Sequence, residues 1–234
     1  MPLIRTIVCA AVLGWCSGVP LAGAATPHYI APEAVDLLVL LAPPPGSADA
    51  RTATELAELR RIQATRSAER VALAQADVAE TVFRLLTVFE RQSPSTAAQL
   101  PHVARFFGNL TEDGAVVTAP AKAGFGRPRP YAVARDLQPA CPVATSPAYP
   151  SGHATVGYVM GVVLAMMVPE QRERVFARTQ EFAESRLVCG VHYRSDIDAG
   201  RIAGTVLAAM ARRHPDFQRD FTAAQAELRA ALGR

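Results

Sequence analysis

The stretch Ala148–Glu170, AYPSGHATVGYVMGVVLAMMVPE, decides how the rest of the chain is read. Pro150, Ser151, Gly152 and His153 stand directly before an almost unbroken apolar run. Ala154–Val168 carries no charge but is only about 15 residues long, whereas a bilayer span takes about 20. An uncharged helix that is apolar all round and too short to span belongs in the centre of a packed domain. Pro-Ser-Gly can simply start that helix, with His153 as a first-turn residue. Whether His153 does more depends on what else the chain brings to it.

Working outward, helix signals follow in series. Pro169 opens a segment running to about Leu187, with proline at its start. Ser195–Arg213 forms another, ended by Pro215. Asp216–Leu232 places Phe217, Phe221, Ala224 and Leu228 on one face. Upstream, Thr52–Phe89 is rich in Ala, Leu, Glu and Arg, and Val71, Ala74, Val78, Val82, Leu85 and Phe89 recur at helical steps. A break near Thr65–Ser67 divides it into two helices, and a short helix is broken or started at Pro101. Between Thr111 and Pro150 prolines and glycines accumulate, which predicts a long loop, and long loops inside compact domains usually carry function. No segment alternates as a strand would. The expected fold is all-α, a single-domain helical bundle around a central buried helix.

The chain of 234 residues, half of them hydrophobic, is long enough for one sizeable core. Its 24 Lys and Arg against 21 Asp and Glu leave a net charge of only +3, without the concentrated basic face of a nucleic-acid binder. Arg5, the apolar run TIVCAAVLGWC and the small residues LAGAA read as a signal peptide over residues 1–24, followed by a helical domain over 25–234 and a periplasmic or secreted location. A lipid anchor on Cys16 is an alternative, although LGWC is a poor lipobox. With Cys9 and Cys16 removed, Cys141 and Cys189 remain in an oxidising compartment and are expected to be bonded; the alternative is two buried thiols. A closed loop of about 50 residues would stabilise the fold by roughly 4 kcal/mol in the loop-entropy model.

Three separated segments carry reactive side chains. The first is Lys122, six residues, then Arg129-Pro130. The second is Pro150-Ser151-Gly152-His153. The third is Ser185-Arg186, five residues, His192, three residues, Asp196. Each has a plain structural reading: solvated loop cations, a helix start, and a His–Asp pair four apart at a helix start. Their joint occurrence, in this order and spacing, leaves little room for that reading.

Together the three segments resemble the signature of the type 2 phosphatidic acid phosphatase superfamily, which includes bacterial non-specific acid phosphatases, lipid phosphatases and vanadium haloperoxidases. AYPSGH and SRLVCGVHYRSDIDAGR, with LLAPPP near the expected mature N-terminus, are similar to the secreted class A acid phosphatases; Ala154 and Tyr193 depart from the residues common there. The resemblance implies a secreted acid phosphatase hydrolysing soluble phosphomonoesters, and a possible homodimer. It assigns the nucleophile to His192, which would form a phosphohistidine, with Asp196 holding its other ring nitrogen. His153 would protonate the leaving alcohol and then activate water. Lys122, Arg129 and Arg186 would balance the phosphate charge, and Ser151 and Gly152 would offer backbone N–H groups and the Ser151 hydroxyl at a helix N-terminus.

No metal or other cofactor is expected, because fixed cations take a metal's place and no His/Asp/Glu cluster has ligand spacing; Asp198, beside Asp196 in sequence, reads as a first-turn acid. His28, His102 and His214 are expected to be non-catalytic, Arg127 to be a rim charge, and Gly124–Gly126 to let the loop bend over the pocket. Partners are small phosphate esters, with no nucleic acid and no membrane span in the mature chain. A lipid or pyrophosphate phosphatase, a vanadium-dependent haloperoxidase and a non-catalytic phosphate-binding helical protein are the rival readings.

Overall fold

The structure is a computed structural model and describes residues 27–92 and 96–234. The signal peptide expected over 1–24 lies outside the described residues. Those residues contain no β-strand. The helices are α1 (Leu37–Leu40), α2 (Ala50–Thr65), α3 (Ala68–Ala76), α4 (Phe83–Leu86), α5 (Pro101–Phe125), α6 (Pro130–Val133), α7 (Gly152–Met167), α8 (Arg172–Val188), α9 (Arg194–Ala211) and α10 (Pro215–Ala231). The all-α bundle is as expected, and the break between α2 and α3 falls at Arg66 and Ser67.

Helix α7 is the central post. Ser151 caps its N-terminus, its Oγ accepting from Ala154 N at 3.2 Å. From His153 to Met167 nearly every side chain is buried, because α5, α8 and α9 pack around it. The close approach depends on glycine. A Cβ on Gly204 of α9 would stand 2.3 Å from the Thr155 carbonyl oxygen, and one on Gly200 2.8 Å from the Ser151 carbonyl oxygen. Small residues therefore let α9 lie almost backbone to backbone on α7, so the two N-termini that carry His153 and Asp196 meet at one end. No single helix among the described residues is long and apolar enough to cross a membrane.

Two expectations about the helices fail. Thr52–Phe89 is not two helices, because α3 stops at Ala76 and a turn over residues 77–82 leads into the short α4. Residues 111–125 do not belong to a loop but to the second half of α5, which runs 25 residues. Phe106, Phe107, Leu110, Asp113, Gly114, Val117, Thr118 and Ala121 are buried along one face of it. That buried stripe runs through Gly114 and past the exposed Pro120 to Ala121, so burial overrides the two helix-weakening residues. The helix ends at Gly126, whose φ of 58° is left-handed and whose N–H closes on the Lys122 carbonyl. Gly124–Gly126 is thus a helix terminus rather than a flap. The buried Asp113 carboxylate accepts from the backbone N–H groups of His28, Tyr29 and Ile30 at 2.7–3.0 Å, pinning the N-terminal arm. His214 caps α10, its ring accepting from Asp216 N at 3.3 Å.

The loop that remains, from Ala134 to Pro150, is tied to the end of α8 by a disulfide between Cys141 and Cys189, Cα atoms 5.2 Å apart. Ala140 N also donates to the Cys189 carbonyl at 3.0 Å. Substituting Gly204→Ala should destabilise the fold by about 2–3 kcal/mol, since the clash is with backbone that cannot rotate away. Gly108→Ala on the exposed face of α5, where nothing lies within 4 Å of the new methyl, should instead be neutral or stabilising by up to about 1 kcal/mol. Urea unfolding of both variants measures the contrast; equal and small effects would mean that α7 and α9 are not in close contact.

Candidate active site

The three segments converge. Lys122, Arg129, Gly152, His153, Arg186 and His192 line one open cavity of about 250 Å³, together with Glu80. Lys122 comes from the last turn of α5, Arg129 from the turn that starts α6, and Arg186 from the last turn of α8. The Gly190 φ of 73° reverses the chain after α8, so that His192 faces the same space just before α9 begins.

His192 has a defined tautomer. Its Nε2 lies 2.8 Å from Arg129 Nη1, and its Nδ1 lies 3.1 Å from Asp196 Oδ2. A guanidinium can only donate. Nε2 therefore presents its lone pair, and Nδ1 carries the proton that it donates to Asp196. Burial pushes the imidazole down to about 3, with the Arg129 and Lys122 charges adding to burial and the Asp196 contacts opposing it. His192 is thus neutral deep into the acid range, its Nε2 lone pair accepting from Arg129.

Asp196 is fully buried, and burial alone would raise its carboxyl. The His192 hydrogen bond, the His192 and Arg127 charges and the Tyr193 N–H outweigh that and hold it below the ordinary aspartate value. Tyr193 N donates to Oδ2 at 2.9 Å and Arg127 Nη1 to Oδ1 at 2.6 Å. Asp196 sits at the third position of α9, where a carboxylate caps the helix start. One side chain therefore both starts the helix and orients the imidazole.

Arg127 is where the sequence reading was wrong. It is not a rim charge but is buried, 5% exposed. It donates to Asp196, to Ser195 Oγ at 2.7 Å and to Glu55 Oε2 at 2.9 Å, and its guanidinium carbon lies 3.9 Å from the centre of the Tyr193 ring. Glu55 Oε1 in turn accepts from Ser195 N at 2.7 Å. Neither Arg127 nor Glu55 shows its role in sequence, because Glu55 sits on α2, far from both in the chain. An Arg-Pro-Arg-Pro run at a helix end was the available hint.

Three cations gather at the cavity. Arg129 is held by the Ser146 carbonyl at 2.9 Å, the Val191 carbonyl at 3.0 Å and Ser146 Oγ at 3.2 Å. Arg186 Nη2 donates to the Ala74 carbonyl at 2.9 Å, while its Nε is buried with no partner. An unpaired buried guanidinium N–H costs free energy, and an anion in the cavity would supply the missing acceptor. Burial lowers Arg186 to about 10 and Lys122 to about 8, and Lys122 Nζ bonds the Pro147 carbonyl at 3.0 Å. These three cations attract an oxyanion with little hydration to remove.

Ser151 differs from expectation. Its side chain is fully buried and does not line the cavity, and its N–H is taken by the Asp196 carbonyl at 2.9 Å. It joins the start of α7 to the start of α9, and Gly152 is left to line the cavity. His153 is stacked on Phe182 at 4.0 Å, with Nε2 buried and unpartnered and Nδ1 3.2 Å from Glu80 Oε1. Burial lowers its pKa, against the Glu80 hydrogen bond. A larger cavity of about 420 Å³ near Pro43–Pro45, Phe125 and Val133 contains one charged side chain, Arg127, which is already paired.

The family model of the PAP2 superfamily matches residues 106–219, and the chain belongs to that superfamily. The chain is 31% identical over 204 residues to an acid phosphatase of Zymomonas mobilis, covering 84% of this chain and 76% of that protein. It is 29% identical over 203 residues to a non-specific acid phosphatase of Providencia stuartii, covering 84% and 82%. Among solved structures it is similar to a bacterial vanadium-dependent iodoperoxidase, with a TM-score of 0.58 and 20% identity over 74% of this chain and 52% of that one. It is also similar to a transmembrane PAP2-type phosphatidylglycerolphosphate phosphatase from Bacillus subtilis, with a TM-score of 0.52 and 15% identity, covering 76% and 89%.

Arg127→Ala would leave Glu55 and Asp196 as buried carboxylates without their shared cation, and should cost about 3 kcal/mol. Arg127→Lys keeps the charge but loses the fork that spans both acids, and should recover only part of that. Chemical denaturation of the two variants checks the order; a loss below about 1 kcal/mol for Arg127→Ala would show that the pair is solvated.

Proposed function

We propose that the protein is an acid phosphatase of the class A kind, hydrolysing soluble phosphomonoesters through a phosphohistidine, and that it works in the periplasm or outside the cell. The observation that carries this reading is the bond pattern around His192. A neutral imidazole offers Nε2 beside Arg129, with its other nitrogen held by a buried carboxylate. That is the arrangement a nitrogen nucleophile requires. The similarity to proteins named acid phosphatase supports the substrate class.

In this reading the phosphoryl oxygens occupy the space among Lys122, Arg129 and Arg186, with Gly152 at the base. Nε2 of His192 attacks phosphorus, the P–N bond forms and the P–O bond to the alcohol breaks. The imidazolium that results is stabilised by Asp196. His153 gives its proton to the departing oxygen and takes one back from the water that releases phosphate, so protons balance over the cycle. Catalysis rests on positioned positive charge, which suits a transition state with charge spread over the equatorial oxygens.

The pH dependence follows from the two imidazoles. His153 must carry a proton at the start, and burial holds its pKa below the ordinary histidine value of 6.5. His192 must be neutral, which it is above about 3. The kcat/KM should therefore fall as pH rises through the His153 value and fall again as pH approaches the His192 value, with an optimum on the acid side of 6.5. His192→Ala should lose at least about 1,000-fold in kcat. His153→Ala should lose about 100-fold or more on an alkyl phosphate. On p-nitrophenyl phosphate, whose leaving group needs little protonation, it should lose far less. Acid-quench labelling with a ³²P-ester should trap a base-stable, acid-labile phosphoenzyme in the wild type and none in His192→Ala. Near-wild-type turnover by His192→Ala would refute the nucleophile assignment. Bromide oxidation with added vanadate in place of ester hydrolysis would favour a haloperoxidase.

A further inference from the structure

Glu80 belongs to none of the three motifs, yet it is the carboxylate among the residues that line the cationic cavity. It lies in the turn between α3 and α4, its side chain 40% exposed, with Oε1 3.2 Å from His153 Nδ1. The position is held firmly. Asp77, fully buried at the start of that turn, accepts from Ser185 Oγ at 2.8 Å, from Arg84 Nε at 3.1 Å and from Arg178 Nη2. Ser185 and Arg178 belong to α8, which also carries Arg186. The turn is thereby fastened to the helix that forms one wall of the site.

The geometry says which end of the cavity Glu80 occupies. Of the two His153 ring nitrogens, Nε2 has no accessible surface, and the ring face is covered by Phe182. Glu80 stands at the Nδ1 edge, and both side chains line the cavity. If His153 is the acid that protonates the departing alcohol, the substituent on that alcohol must pass Glu80 on its way out. Glu80 also stays charged. Burial pushes its carboxyl up, but the His153 hydrogen bond and the charges of His153, Arg186 and Lys122 outweigh burial and hold it below the ordinary glutamate value.

We propose, resting on the phosphatase reading above, that Glu80 is a specificity-determining residue. Its carboxylate offsets the positive charge at the leaving-group end of the pocket and selects phosphomonoesters of neutral or cationic alcohols over those whose alcohol carries further negative charge. The charge balance supports this. Lys122, Arg129 and Arg186 face the phosphoryl group, and Glu80, bonded to His153, offsets the proton that this imidazole carries as the acid. Asp196 is already paired with Arg127. A second anionic group on the substrate meets the Glu80 carboxylate beside its path, whereas an ammonium finds a partner there.

The experiment compares kcat/KM for O-phosphoethanolamine, glycerol 1-phosphate and 3-phosphoglycerate, whose leaving groups are cationic, neutral and anionic. It is run on the wild type and on the Glu80→Gln, Glu80→Asp and Glu80→Lys variants at one acidic pH and low salt. A unit charge several Å away across a partly wetted pocket changes such a preference by about tenfold. The ratio of phosphoethanolamine to phosphoglycerate should therefore fall about tenfold in Glu80→Gln and further in Glu80→Lys. Glu80→Asp should keep it within about threefold of the wild type. A general loss of rate through His153 scales all three substrates alike and leaves the ratio in place, so the ratio reads charge and not structural damage. Wild-type turnover with a ratio unmoved in Glu80→Gln and Glu80→Lys overturns this proposal alone. A wild type that hydrolyses none of the three esters nor p-nitrophenyl phosphate overturns the phosphatase reading and this proposal with it.

Discussion

A carboxylate with no accessible surface must find all its partners inside the protein, and Asp196 is the point on which this structure turns. Its two oxygens accept from His192, from the Tyr193 N–H and from Arg127. Its backbone carbonyl accepts from Ser151 N, which ties it to the start of the central helix. Through Arg127 it reaches Glu55 on α2. One buried charge thus binds together the starts of α7 and α9, the exit of α5 and the side of α2. Each of these elements carries or backs a residue of the site. The cost of leaving any member of this network unpaired is what keeps the imidazole of His192 in a single orientation.

The packing that allows this is equally specific. Gly200 and Gly204 let α9 approach α7 so closely that a single methyl group would meet backbone. Helices at ordinary separation would carry His153 and Asp196 apart. The apolar content of α7 is thus more than generic core: it makes a rigid axle whose end is fixed relative to three neighbours. The disulfide between Cys141 and Cys189 performs the corresponding task for the loop, joining the strand of chain behind Arg129 to the turn before His192.

The two imidazoles of the site are set differently by their surroundings. His192 is buried between an arginine and a paired carboxylate, and remains neutral in acid. His153 is buried too, but its Nδ1 meets a half-exposed glutamate and its face an aromatic ring. Burial lowers the proton affinity of both imidazoles, while their carboxylate partners differ: a fully buried, paired Asp196 for one and Glu80 at the cavity for the other.

Much of this was legible in the sequence. The uncharged run of Ala154–Val168 is too short for a bilayer and too apolar for a surface, which leaves the centre of a helical bundle. The spacing of Lys122 to Arg129, of Ser151 to His153 and of Arg186 to His192 and Asp196 marked the residues that the fold gathers, since local spacing survives folding. The long helix through Thr111–Phe125 was hidden because glycine and proline lower helix propensity locally, whereas the buried stripe that overrides them is a property of the whole bundle. In sequence Arg127 reads as a surface charge, nothing shows that the Ser151 N–H is taken, and Glu55 and Glu80 carry no signal. Pairing between residues distant in the chain leaves no periodic trace in sequence. Which charge is buried, which N–H is already taken and which carboxylate faces the cavity were decided only when the helices packed, because desolvation and hydrogen-bond partnership exist only between surfaces that tertiary structure brings together.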